Sequence, residues 1–129
     1  MTVTFELAKE DDLNFIRRAW MQDVKDPVDL RLAVRNAVLA HSTVLVARPP
    51  DTPPDTIAAF LVLGDGLVSW YGVKRSWRGL GYGLACVERA EELVTRPVRF
   101  ARYGTQEQKR WLEKRGWFYT PRAEVLLAG

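Results

Sequence analysis

The stretch Leu67-Val68-Ser69-Trp70-Tyr71-Gly72-Val73, followed after four residues by Arg78-Gly79-Leu80-Gly81-Tyr82-Gly83, decides how the chain is read. Its first part is apolar, aromatic and β-branched, the signature of a buried strand. Beyond it, Leu84, Val87, Ala90 and Val94 recur at helical spacing, so the sequence predicts a helix from about Gly83. A strand that feeds a glycine-rich turn opening a helix makes an anion site. The first-turn N–H groups have no intrahelical acceptor, and the helix dipole adds partial positive charge there. Glycine lets an anionic group approach the backbone with no Cβ in the way. Arg78 adds a cation suited to bidentate contact with phosphate.

Two common phosphate loops do not fit this stretch. A Walker loop ends in Gly-Lys-Ser/Thr, and no such ending occurs. A dinucleotide fingerprint needs differently spaced glycines near a first strand, with an acidic residue about 20 residues on. The pattern Arg78-x-x-Gly81-x-Gly83 after Val73 resembles the acetyl-CoA pyrophosphate loop of the GCN5-related N-acetyltransferase (GNAT) superfamily, written Arg/Gln-x-x-Gly-x-Gly/Ala. Read without that resemblance, the same residues are a strand-to-helix turn with a surface arginine.

Composition sets the bounds. The 129 residues suit one domain, 1–129, with one hydrophobic core. At 47% hydrophobic residues, most of the chain is expected to fold. No apolar run approaches the roughly 18–20 residues that span a bilayer, and Met1 to Glu6 lacks the regions of a signal peptide. A cytoplasmic location is the expectation. The single cysteine, Cys86, excludes an intrachain disulfide and offers no metal cluster. Net charge is +3, from 19 basic and 16 acidic residues, well short of a nucleic-acid-binding tail. Lys74, Arg75, Arg78 and Arg89 bracket the glycine loop, and Arg96, Arg99 and Arg102 follow the helix. A polyanionic ligand would account for the first group, and a nucleic acid for both.

Taken in order, Val3 to Leu7 alternates like a strand. Lys9 to Leu13 starts a helix with Leu13, Ile16 and Trp20 as its apolar stripe, broken at Asp26-Pro27. Pro27-Val28-Asp29 starts a second helix carrying Leu30 to Leu39. Thr43 to Ala47 is a strand, and Arg48 to Asp55, rich in proline, is a connection. Thr56 to Leu63 is the next strand, joined by Gly64-Asp65-Gly66 to the strand holding Trp70. Pro97 to Tyr103 reads as a fifth strand, Gln106 to Arg115 as a helix ended by Gly116, and Trp117–Tyr119 and Glu124–Leu127 as short strands.

This order, β-α-α-β-β-β-α-β-α-β-β, is similar to that of a compact GNAT domain. The resemblance implies an α/β (α+β) fold: a mixed, mostly antiparallel sheet of six to seven strands flanked by about four helices. In that superfamily the fourth and fifth strands splay apart and the cofactor's pantetheine lies between them. Many relatives carry Asn-x-x-Ala-x-x-Leu-Tyr-x-x-x-Gly-Phe in the last helix. Thr105, Gln108, Trp111, Leu112, Gly116 and Trp117 fall on those positions. Gln108 departs from the alanine and Leu112 from the tyrosine.

The resemblance further implies acyl transfer, acetyl above all, from the thioester of acetyl-CoA to a primary amine by direct attack in a ternary complex. The main-chain groups of Tyr71 and Val73 would hold the pantetheine and polarise the thioester. The amides of Gly79, Leu80, Gly81, Tyr82 and Gly83, with Arg78, would take the pyrophosphate, and Thr105 would add a contact. A lysine-like amine, with a pKa near 10.4, must lose a proton before it attacks. Some relatives place Glu or His on the fourth strand for this; here those positions are Leu67 and Ser69. Leucine takes no proton, whereas Ser69 could hold a water, which leaves Ser69 and the backbone of Tyr71 as the catalytic candidates. The tyrosine that often protonates the departing thiolate is replaced by Leu112, with Tyr103 and Tyr119 as substitutes. His41 ends a helix-like stretch and reads as structural or exposed; Cys86 reads as packing. Trp20, Asp23 and Asp26 mark where a small-molecule or peptide amine would enter, although Trp20 also suits a core and the aspartates helix caps. No metal and no membrane partner is implied; a homodimer is open, and a nucleic acid is admitted but not favoured. The competing function is a GNAT-fold binding protein, for a protein or nucleic-acid partner, in which catalysis is lost.

Overall fold

The computed structural model describes residues 3–23, 42–64 and 66–120. Its strands are β1 (Phe5–Leu7), β2 (Thr43–Ala47), β3 (Ala59–Gly64), β4 (Leu67–Val73), β5 (Arg99–Phe100) and β6 (Phe118–Tyr119). The helices are α1 (Glu10–Asp23), α2 (Tyr82–Leu93) and α3 (Gln106–Lys114), with a 3-10 turn at Arg75–Trp77. The six strands form one sheet in the order β1-β2-β3-β4-β5-β6. Pairing is antiparallel from β1 through β4 and parallel for β4–β5 and β5–β6. Among the described residues no helix is long and apolar enough to cross a membrane.

The expected architecture is therefore present with six strands and three helices among the described residues. The expected helix beginning at Pro27, the strand Glu124–Leu127, Asp26 and His41 lie outside the described residues. Four strands are shorter than the sequence predicts: β1 and β6 lose one or two residues at their starts, and β3 and β5 differ for identifiable reasons. A turn closed by Thr56 N–H donating to Pro53 O delays the strand, and although Ala58 already bonds Ala47 and Lys74 the chain bends there, so β3 starts at Ala59. The fifth strand was expected over Pro97–Tyr103, but only Arg99–Phe100 pairs as β5, because the chain parts from β4 just after it.

Both faces of the sheet are covered, so β2 and β3 read as continuous apolar runs and not as alternating ones. One face packs Val44, Val46, Phe60, Val62 and Trp70 against Ile16 of α1. The other packs Leu45, Leu61, Val68 and Phe100 against Val87 and Ala90 of α2 and Leu112 and Trp117 of α3 and its exit. Helix α1 starts where Asp12 Oδ2 accepts the Lys9 N–H at 2.8 Å, which satisfies an orphan donor of the first turn. Arg48, just past β2, holds the other side of Asp12 in a two-pronged contact (3.2 and 2.7 Å) and also reaches Glu6. Burial works to raise the Asp12 pKa, but the Arg48 hydrogen bonds and the Lys9 N–H outweigh it, and the carboxyl titrates below its usual range.

Gly72 is fixed by packing. A Cβ there would stand 2.7 Å from Phe60 Cζ, and the Phe60 ring is held edge-on to Trp70 with centroids 4.7 Å apart. This glycine inside a strand marks a close approach.

Candidate functional site: an opening between two parallel strands

Strands β4 and β5 pair only at Leu67↔Arg99 and Val68↔Phe100, and one further bond runs from Ala101 N–H to Val68 O at 3.0 Å. Past Val68, β4 continues for five residues with no described strand on that side. At this vertex the β3–β4 register shifts. Leu63 faces Val68 while Val62 faces Trp70, so Ser69 is the extra residue of a β-bulge.

The bulge determines which backbone groups face the opening. Lys74 N–H donates to Ala58 O at 2.7 Å. Counting back by two along β4, the N–H and C=O groups of Gly72 and Trp70 also turn toward β3. Those of Tyr71 and Val73 consequently turn toward the opening. The two residues singled out from the sequence thus present ladder groups along its length that no strand pairs among the described residues; of these, Val73 O at the outer end accepts from Arg78 Nε at 3.3 Å.

The loop beyond Val73 has the geometry of an anion site. Gly79 and Gly81 have φ of 80° and 92°, conformations that side chains with a Cβ rarely adopt. A Cβ at either position would meet nothing within 4 Å, so glycine is there for its backbone freedom. Gly81 is the N-cap of α2 and supplies no side-chain cap, and the first turn of α2 carries no acidic residue. Its amides therefore stay available. Gly83 is different: a Cβ would sit in ordinary contact, 3.8 Å from Val73 Cγ2. Tyr82 contributes only backbone here, since its side chain is buried against Trp77. Leu80, Lys74, Arg75 and Arg78 are exposed around the loop. Arg89 does not join them, being paired with Glu92 at 2.7 Å.

The catalytic candidates divide. Ser69 is 1% exposed, and its Oγ has no hydrogen-bond partner among the described residues. A buried hydroxyl left orphaned at a strand vertex is a place for an ordered water or a ligand group. Leu67 and Leu112 are buried and apolar, 3% and 0% exposed. Leu112 belongs wholly to the core between α3 and the sheet. Tyr103 and Tyr119 pack edge-on to each other at 5.3 Å, with Lys109 Nζ over both rings. Thr105 is the N-cap of α3, its hydroxyl oxygen accepting the Gln108 N–H at 3.1 Å. Cys86 is fully buried, donates weakly to Phe60 O, and burial pushes its thiol pKa up to about 12. It is a packing residue. Trp20 and Asp23 fall on the last turns of α1, but their side chains lie outside the described residues.

One contact was not foreseen from the sequence. Gln108 Nε2 donates to the Tyr71 hydroxyl at 2.8 Å, across the space between β4 and α3. The sequence signal was present in the glutamine that stands where the resemblance expects alanine, but its partner 37 residues away was not visible. A separate groove of about 540 Å³ runs along the other flank of α2. It is lined by Val3, Phe5, Leu84 and Arg89 and shares only Leu80 and Gly81 with the loop.

No family model and no curated protein matches the chain in sequence. Solved structures do match. A provisionally assigned acetyl transferase from Pyrococcus furiosus superposes with a TM-score of 0.68 at 16% identity, covering 89% of this chain and 92% of that one. A GCN5-related N-acetyltransferase from Rhodopseudomonas palustris gives 0.59 at 13% identity, over 89% and 81%. AAC(6')-Iy, solved with the bisubstrate analogue CoA-S-monomethyl-acetylneamine, gives 0.57 at 13% identity, over 94% and 93%. Superposed over about nine-tenths of its length on these structures, the chain has the fold of the GCN5-related N-acetyltransferases.

Proposed function

We propose that this protein is an acyl-CoA-dependent N-acyltransferase that moves an acyl group, acetyl in the first instance, to a primary amine. The observation that supports it best is the continuity of the opening with the loop. Backbone groups of Tyr71 and Val73 that no strand pairs among the described residues lead outward to the positive-φ glycines and the uncapped start of α2. A pantetheine arm carries amides that such ladder groups bond, and its pyrophosphate suits the first-turn amides of α2 with Arg78 alongside. AAC(6')-Iy has the same fold and was captured with a CoA-linked analogue, which supports the same ligand chemistry here.

In this reading the Tyr71 N–H polarises the thioester carbonyl as it gains negative charge. Ser69 holds a water that accepts the proton of the attacking amine. Much of the rate comes from alignment of amine and thioester, since proximity by itself supplies several kcal/mol. Buried leucines at positions 67 and 112 favour a second reading, a GNAT-fold binding protein without catalysis. Calorimetry separates the first requirement from the second. Acetyl-CoA should bind the wild type in the micromolar range and fail to bind a variant carrying Arg78→Ala and Gly81→Glu. Absence of binding by the wild type would leave only the second reading.

A further inference from the structure

The acyl-transfer reading gives Tyr71 a role only through its backbone, yet its side chain is held with more care than packing requires. The ring lies against the core clusters on the α2 side of the sheet. The hydroxyl meets Gln108 in the first turn of α3, and Gln108 Oε1 in turn accepts the Gly104 N–H. The glutamine amide is thereby fixed in orientation, oxygen toward Gly104 and nitrogen toward Tyr71. An amide NH₂ only donates, so the phenolic oxygen is the acceptor in this bond. Among the described residues nothing accepts the proton of Tyr71 Oη, which is available to be given to something else. This happens on the stretch of β4 that has lost its β5 partner, across the gap that separates it from α3. Burial also raises the Tyr71 pKa above 10.0, so the phenol carries its proton throughout the neutral and mildly alkaline range.

We infer that the Tyr71 hydroxyl is a proton donor to the sulfur of a thioester lying in the opening, and that Gln108 is the positioning residue that turns the phenol toward it. This rests on the acyl-CoA reading above. In the step concerned, the amine nitrogen bonds to the thioester carbonyl carbon and the tetrahedral adduct collapses. The carbon–sulfur bond breaks, its electron pair goes to sulfur, and Tyr71 Oη passes its proton to that sulfur. The proton lost by the amine reaches solvent, from which the phenolate is reprotonated. A donor fixed before the charge develops needs no reorganisation when it does. The strand thereby supplies from β4 a group that the buried Leu112 cannot supply from α3.

The test needs no acceptor. Binding of CoA and of desulfo-CoA, in which hydrogen replaces the sulfhydryl, is measured by calorimetry at pH 7 and pH 9 for the wild type, Tyr71→Phe and Gln108→Glu. Near pH 9 a thiol of ordinary pKa, about 8.5, is largely ionised. Tyr71→Phe should then weaken CoA about tenfold, the loss of one hydrogen bond to an ionised acceptor. It should weaken CoA less at pH 7 and leave desulfo-CoA unchanged at both. Gln108→Glu keeps the ring but replaces the donor with a carboxylate that captures the phenolic proton, so it should reproduce the selective loss. If both ligands weaken equally, Tyr71 does not touch the sulfur and the inference falls. It also falls if both bind more tightly, because the Tyr71–Gln108 pair is then an obstacle. A wild type that binds neither ligand overturns the acyl-CoA reading itself.

Discussion

Glu91 on α2 and Arg115 at the end of α3 face each other in a two-pronged ion pair, with contacts of 2.7 and 3.0 Å. Trp117 Nε1 donates to the same carboxylate at 3.1 Å. These three residues tie together the two helices on one face of the sheet. The Arg115 hydrogen bonds, with that of Trp117, hold the Glu91 carboxyl below its usual pKa despite partial burial. A carboxylate whose folded pKa is depressed stabilises the fold above its unfolded pKa, about 4.3, and that contribution disappears as pH falls through the folded value. Urea midpoints should therefore drop on acidification below about pH 5. Glu91→Gln should flatten that drop and cost about 1–2 kcal/mol at pH 7.

Gly72→Ala should destabilise the protein by about 1–3 kcal/mol, the usual range for overpacking. The new methyl group would collide with a Phe60 ring that Trp70 holds in place. A paired Phe60→Leu substitution should recover part of the loss in thermal melts, whereas Phe60→Leu alone should only destabilise.

The glycines of the loop should not be equivalent. Gly81→Ala forces a Cβ into a φ of 92°, which should cost about 1 kcal/mol in stability and weaken CoA binding at least tenfold. Gly83→Ala places its methyl in free contact with Val73 and should leave both stability and affinity close to wild type. Equal losses for the two would mean that the loop acts through bulk and not through backbone conformation.

Ser69→Ala removes a buried hydroxyl that has no protein partner among the described residues. Stability should be unchanged or improved by up to about 1 kcal/mol. Release of thiol from acetyl-CoA in the presence of a small amine such as hydroxylamine should nevertheless slow. A destabilised Ser69→Ala with unaltered thiol release would assign the hydroxyl to structure alone.

Much of this was legible in the sequence because it is written in short-range patterns. The apolar runs of β2 and β4, the turn signals around Gly79–Gly83 and the Thr105 cap with Gly116 after the helix all act within a few residues. The length of β5 was not legible, since Pro97–Tyr103 has strand-like composition and only the divergence from β4 ends its pairing. Nor was the bulge at Ser69, which is set by register with β3. Arg89 looked like part of the loop's basic fringe until its pairing with Glu92 placed it elsewhere. The Tyr71–Gln108 bond joins residues far apart in sequence, and no local signal encodes such a meeting.

The early parting of β5 from β4 gives the molecule an edge in the middle of its own sheet. Outer edges recruit other strands and invite aggregation, and proteins commonly shield them. This inner edge begins where β5 leaves β4 and lies across from α3, whose Gln108 bonds the Tyr71 hydroxyl. An edge turned inward, with Arg78 already reaching Val73 O and Gln108 reaching the Tyr71 side chain, is one that the protein keeps under its own side chains.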